Sequence, residues 1–234
     1  MKETSLDNKI EAICTQLQRF SNASMNIDIK SFDSKNMIRK LFEYERRVRC
    51  RDGLYQAGEY EMEMIQGRKF LFSVIDAKKV IPEALSLSEI DVLKKVAIRL
   101  YHPENIVLNV SAFFRNPLGK GIQPHQDLAY EDKEKRERIL SLNISLVETS
   151  YNDGGLGYYN IAHGEILEHK FCMRSATWIL VPSEIRALAD DDIHDAARAH
   201  LHTSFNVHKA KGVRRDGRRG IVLRLIATCY GSKI

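Results

Sequence analysis

Apolar residues recur at helical spacing through the first hundred positions and at strand spacing after that. Ile10, Ile13, Leu17 and Phe20 lie three to four apart behind a possible Ser5 or Asp7 cap, the signature of an amphipathic helix. Met37, Leu41, Tyr44 and Val48 repeat the pattern on a charged segment. Ser88-Glu89-Ile90-Asp91 reads as a capping box opening a third helix, with Leu93, Val96, Ala97 and Leu100 on one face and Pro103 just past its end. Lys69 to Ile75 is the one early strand.

From about residue 105 the texture changes to short β-rich runs punctuated by Gly, Asn and Asp. These cover 106–114, 139–147, 155–161, 165–171, 176–181, 203–208 and 220–230, with 183–201 read as an inserted loop or short helix. Many short strands at regular spacing predict a sandwich or barrel, the class that includes cupin-like jelly rolls. The expectation is a mainly β protein with N-terminal helices. Residues 1–104 would form a helical extension packed on a double-stranded β-helix core of residues 105–234, the whole making one structural domain.

The composition suits that fold: of 234 residues, 44% are hydrophobic and 29% charged, enough for a sizeable core. No apolar run is long enough to span a membrane, and the first residues lack the apolar stretch of a signal peptide, so a cytoplasmic protein without membrane partners is expected. Cys14, Cys50, Cys172 and Cys229 are too scattered for a zinc ribbon or a dense disulfide framework and read as reduced thiols. The net charge of +5 slightly favours acidic small molecules and does not argue for nucleic acid.

The chemistry concentrates at His125-Gln126-Asp127, reached through Gly121-Ile122-Gln123-Pro124. On an extended segment, side chains two apart share a face, so an imidazole and a carboxylate can hold one metal ion. A second imidazole, His208, precedes a basic, strand-like ending. Two histidines and one carboxylate form the facial triad of non-haem Fe(II) oxygenases.

The order of these pieces resembles the Fe(II)- and 2-oxoglutarate-dependent dioxygenases, most closely their prolyl-hydroxylase-like branch, over roughly residues 106 to 230. Ile106 to Phe114 matches the strand before the metal motif, and Gly119 to Asp127 the glycine-containing approach to it. Arg138 to Leu146 and Asp153 to Tyr159 are similar to the middle strands, and Ala176 to Ser183 to the strand before the distal histidine. The resemblance implies iron held by His125, Asp127 and a distal histidine, with 2-oxoglutarate and O2 filling the remaining positions. It also implies a basic residue about ten positions beyond that histidine, anchoring the cosubstrate's far carboxylate. His208 and Arg218 are ten apart and are the preferred pair. His202 is the rival; its sixteen-residue spacing to Arg218 is closer to that of demethylases of alkylated bases. Asp127 points to hydroxylation, because halogenating relatives carry a small residue there.

One departure is Phe113-Phe114, where related enzymes often have a cosubstrate-contacting tyrosine; Asn109, Ser111 and Asn143 are the alternatives, each otherwise a solvent-facing strand-edge residue. Trp178 reads as core. The basic cluster of Lys209, Lys211, Arg214, Arg215, Arg218 and Arg219 reads as a solvated hairpin, without the interleaved aromatics that stacking a base requires. Lys133 to Arg138 reads as a surface loop able to cover the site. The expected substrate is a small polar metabolite such as an amino acid or biosynthetic intermediate. A peptidyl (prolyl-type) hydroxylase, a nucleic-acid demethylase and a non-catalytic jelly-roll binding module are the alternatives.

Overall fold

The structure, a computed structural model, describes residues 6–25, 33–49, 59–130, 138–147, 150–173, 177–188, 193–195, 199–213 and 219–231. Three long helices, α1 (Leu6–Phe20), α2 (Ser34–Arg49) and α3 (Ser88–Tyr101), pack on one face of a large sheet; a short α4 (Pro182–Ala187) comes late in the chain. The strands are β1 (Asn22–Met25), β2 (Tyr60–Ile65), β3 (Arg68–Val74), β4 (Asn105–Arg115), β5 (Ile122–Gln126), β6 (Ile139–Ser145), β7 (Leu156–Tyr159), β8 (His169–Cys172), β9 (Thr177–Leu180), β10 (Ile193–Asp195), β11 (Ala199–Thr203), β12 (Val207–Ala210) and β13 (Gly220–Tyr230). Seven of them form a sheet in the order β1-β11-β6-β13-β4-β3-β2, and four form a smaller one, β10-β7-β12-β5; β8 and β9 make a separate hairpin. All of these pairings are antiparallel. The mainly β, jelly-roll-like class is therefore observed. Among the described residues no helix is long and apolar enough to cross a membrane.

The large sheet has two dissimilar faces, and period-two alternation creates them. Leu140, Leu142 and Ile144 of β6, Leu201 of β11 and Ile221, Leu223 and Leu225 of β13 join Ile13, Leu17, Met37, Leu41, Leu93 and Val96 of the helices in one apolar core. The intervening residues face the small sheet and are mostly polar. His200, Asn143, Arg224 and Ser111 are successive register partners across β11, β6, β13 and β4. His200, Asn143 and Ser111 are buried. Burying a polar row costs free energy unless each group is hydrogen-bonded, so the space between the sheets is where function is to be sought.

Several sequence expectations need correction. No capping box opens α3: Leu87 is the cap residue without a side-chain bond, and Ser88 Oγ instead donates to the Glu89 carboxylate. The run 203–208 holds a turn, closed by the Asn206 amide on the Thr203 carbonyl, so β11 ends where a single strand was expected to begin. The segment 183–201 contains α4, β10 and the start of β11. The strand over Ala176 to Ser183 is not the one preceding His208; β9 pairs with β8, and β11 comes between. Short strands β1 and β2, unmarked by any strong alternation, extend the large sheet at its two edges.

Candidate metal centre

His125 sits on β5 and His208 on β12, and the two are register partners with ring centroids 4.5 Å apart. Gly121 allows these strands to approach: a Cβ there would stand 2.3 Å from the Ala210 carbonyl oxygen and 2.9 Å from the Gly212 nitrogen. Asp127 opens the 3-10 turn Asp127–Tyr130 directly after β5, and the Leu128 amide fixes that turn on the Ser204 carbonyl. His125, Asp127 and His208 bring their ligand atoms within 4.8 Å of one another.

The Asp127 carboxylate divides its two oxygens. Oδ1 lies 3.8 Å from Nε2 of His125 and 3.8 Å from Nε2 of His208. Oδ2 accepts a hydrogen bond from His202 Nε2 at 3.1 Å and another from the Arg224 guanidinium. Arg224 is steadied in turn by Ser141 Oγ. His202 thus holds the carboxylate from behind, while His208 shares its open side with His125.

The donor set suits a first-row divalent ion. Two atoms each about 2.1 Å from one ion can be no more than about 4.2 Å apart, and both Oδ1–Nε2 distances fall inside that limit. The His125 Nδ1–H donates to the Gln123 carbonyl at 2.8 Å, which leaves the Nε2 lone pair facing Asp127. His208 Nδ1 is buried without a partner. Burial pulls both imidazoles below their ordinary range despite the Asp127 charge, so they are neutral at neutral pH. Burial alone would raise the Asp127 carboxyl; the Arg224 charge and the hydrogen bond from His202 outweigh it and hold the group well below the usual carboxylate range. One anionic oxygen and two neutral imidazoles stand ready, and His125 offers its Nε2 without a proton to displace.

Neutral, hydrogen-bonded groups also lie around this centre. Asn143 Nδ2 donates to the Tyr158 hydroxyl at 2.6 Å, and burial pushes that phenol's pKa well up, so it stays neutral. His200 stacks on the Tyr158 ring at 3.8 Å, and burial with neighbouring histidines lowers it to about 3. Tyr130 presents its ring edge-on to His125, with centroids 5.6 Å apart. Its hydroxyl donates to the Trp178 carbonyl and accepts from the Trp178 amide, clamping the β8–β9 hairpin beside the site. Gln126 ties the base of that hairpin by accepting from the Leu167 amide and donating to the Glu165 carbonyl.

The remaining sequence candidates scatter. Arg218 lies outside the described residues, as do Arg214, Arg215 and residues 133–137 of the expected covering loop. Arg219 points to the helical side, where it pairs with Glu45 of α2 and stacks on Phe114. Lys209 and Lys211 lie over the Tyr151 ring. Ser111 and Asn143 are buried inside rather than solvent-facing, the first bonded to the Ile75 carbonyl, while Asn109 is exposed. Trp178 is not core: it is 37% exposed and packs edge-on against exposed Phe171. Sequence reasoning gave no part in the site to Tyr158, Tyr130 or His200. The one available signal was polar alternation within strands bounded by apolar residues, as in Ala199-His200-Leu201-His202.

No protein-family model and no curated protein sequence matches the chain. Solved structures do. EvdO2 from Micromonospora carbonacea var. aurantiaca superposes with a TM-score of 0.65 at 19% identity over 95% of this chain and 92% of that one, and a second EvdO2 structure is complexed with 2-oxoglutarate. The non-haem α-ketoglutarate-dependent epimerase SnoN from nogalamycin biosynthesis matches with a TM-score of 0.63 at 13% identity, covering 97% of this chain and 88% of its own. EctD from S. alaskensis with bound Fe gives 0.63 at 14% identity, over 92% of this chain and 75% of that one. At these identities the likeness is one of fold.

Proposed function

We propose that this chain is an Fe(II)- and 2-oxoglutarate-dependent dioxygenase built on a double-stranded β-helix. His125, Asp127 and His208 hold the iron, and the enzyme hydroxylates a small polar metabolite in the cytoplasm. The reading rests on one observation above the others: Asp127 offers a single free oxygen equidistant from two neutral imidazole nitrogens, its other oxygen being committed to His202 and Arg224. The fold shared with EvdO2, SnoN and EctD supports it. Likeness to the prolyl-hydroxylase-like branch rests on motif order alone.

The bound metal with its cosubstrate would supply the oxidising power, coupled to decarboxylation of 2-oxoglutarate to succinate. The protein's own part is positioning. His202 and Arg224 orient Asp127, the Gln123 carbonyl sets the His125 tautomer, and the clamped hairpin limits water at the open edge. The hydrogen bond from His202 Nε2 to the far oxygen of Asp127 supports His208 over His202 as the distal ligand, and with it a hydroxylase over a nucleic-acid demethylase.

The test is anaerobic addition of Fe(II) and then 2-oxoglutarate to the purified protein, followed by succinate release with air across amino acids, peptides and methylated oligonucleotides. A weak visible charge-transfer band and turnover with a small metabolite are expected. A protein that binds neither iron nor cosubstrate is a jelly-roll binding module instead.

A further inference from the structure

Arg115, the last residue of β4, is a buried cation that forms no ion pair among the described residues. It is 4% exposed, and neither Nε nor Nη1 has a hydrogen-bond partner. The nearest acidic influence is Glu63, whose carboxylate is already bonded to Asn116 Nδ2. Tyr158, which also acts on it, is a neutral phenol. Burial draws the guanidinium down to about 10, so it is still charged at neutral pH. An uncompensated buried charge is among the costliest features a fold can carry. It persists where something outside the protein supplies the missing anion.

Its position says what that anion is attached to. Arg115 is the register partner of Gly220, and four residues along β4 is Ser111, the partner of Arg224, which holds Asp127. Residues four apart on a strand share a face, so Arg115 faces the inter-sheet space about 13 Å along the strand from the rung that holds Asp127. Between the two ends lies an apolar cluster contributed by both sheets: Val222, Leu156, Tyr158, Ala210 and Ile122. A metal centre at one end, an apolar wall, and a guanidinium with two unpartnered nitrogens at the other complement a short dicarboxylate.

We infer that Arg115 binds the far carboxylate of the 2-oxo dicarboxylate cosubstrate, the role that motif spacing assigns to Arg218. The inference rests on the iron and 2-oxoglutarate reading above. A guanidinium with unpartnered N–H groups on both of its edges offers donors to a carboxylate from either side, and in a dry setting such a charge-assisted contact is worth far more than in water.

The experiment titrates 2-oxoglutarate and 2-oxovalerate, which has the same chelating end but lacks the far carboxylate, into anaerobic Fe(II)-loaded protein, read by the charge-transfer band. Wild type is expected to prefer 2-oxoglutarate by about 100-fold. Arg115→Gln is expected to bind 2-oxovalerate as before and to lose the preference almost completely. In the absence of ligand its melting temperature is expected to equal or exceed that of wild type, since the amide removes an unpaired charge; a structural role would lower it. Arg115→Lys, which keeps the charge and loses the fork, is expected to retain part of the preference and serves if the glutamine variant fails to fold. An unchanged preference in either Arg115 variant, or its loss in Arg218→Gln alone, overturns the inference and hands the role elsewhere. If wild type gives no band with either oxo acid, the reading of the metal centre fails and takes this one with it.

Discussion

His125 and His208 stand opposite each other across β5 and β12, whereas His202, six residues before His208, lies on β11 in the other sheet. Sheet membership separates the two late histidines. His208→Ala is expected to abolish stoichiometric Fe(II) binding. His202→Ala is expected to keep the site and weaken it by about 10- to 100-fold, the usual cost of losing a group that orients a ligand. Metal content after desalting, with Co(II) spectra as a second readout, distinguishes them; full iron in the His208 variant would reject the assignment.

Arg224 carries the charge that holds Asp127 in place. Arg224→Met removes it and leaves a buried carboxylate with only His202 behind it, so the Asp127 carboxyl is expected to rise toward the ordinary range. Metal affinity should fall by about 10- to 100-fold and become steeper with acidity between pH 7 and 5. Isothermal titration at two pH values measures both effects. Equal affinity at both would mean that Asp127 needs no such support.

The Tyr130 hydroxyl makes two backbone bonds to Trp178. Tyr130→Phe deletes both while preserving the ring against His125, and a loss of about 1 kcal/mol confined to the hairpin is expected. Amide exchange over residues 169–180 should speed up several-fold with iron content unchanged. Uniform acceleration across the chain would show that the contact supports the whole fold.

Glu45 of α2 joins the helical layer to β13 and β3 through Arg219 and the Leu71 amide. Burial pushes its carboxyl up, but the bonds and charge of Arg219, the Leu71 amide and Arg49 outweigh burial and leave it lowered. A depressed carboxyl stabilises the fold above its unfolded pKa and ceases to do so as pH falls through its folded one. Glu45→Gln is therefore expected to lose about 3 kcal/mol at pH 7 and to show a shallower stability decline below about pH 5. Urea melts from pH 7 to 3 measure this; parallel curves for the two proteins would place the coupling elsewhere.

Local chemistry was the legible part of this chain. The amphipathic helices declare themselves because each buries one stripe, and α1, α2 and α3 lie where Ile10, Met37 and Leu93 place them. His125 and Asp127 could be paired because they are two residues apart on one strand end. The choice between His202 and His208 depends on which strand lies beside β5, a long-range pairing that spacing alone does not encode. Arg115 was invisible for a related reason: an arginine closing a strand reads as surface until the register puts it opposite Gly220 and inside. Trp178 was misjudged because a lone tryptophan is a core residue on average, and only the separate β8–β9 hairpin explains its exposure.

One edge strand of the large sheet, β1, finds its partner 176 residues further along the chain. Ser24 of β1 lies opposite His200 of β11, and its hydroxyl meets that histidine's ring at 3.3 Å. Such a contact closes one of the longest loops the chain can make, and parts of the fold that depend on distant pairing form late and slowly. The strand that carries His202 is therefore expected to have its outer edge sealed late in folding, after the local contacts of the helices have formed.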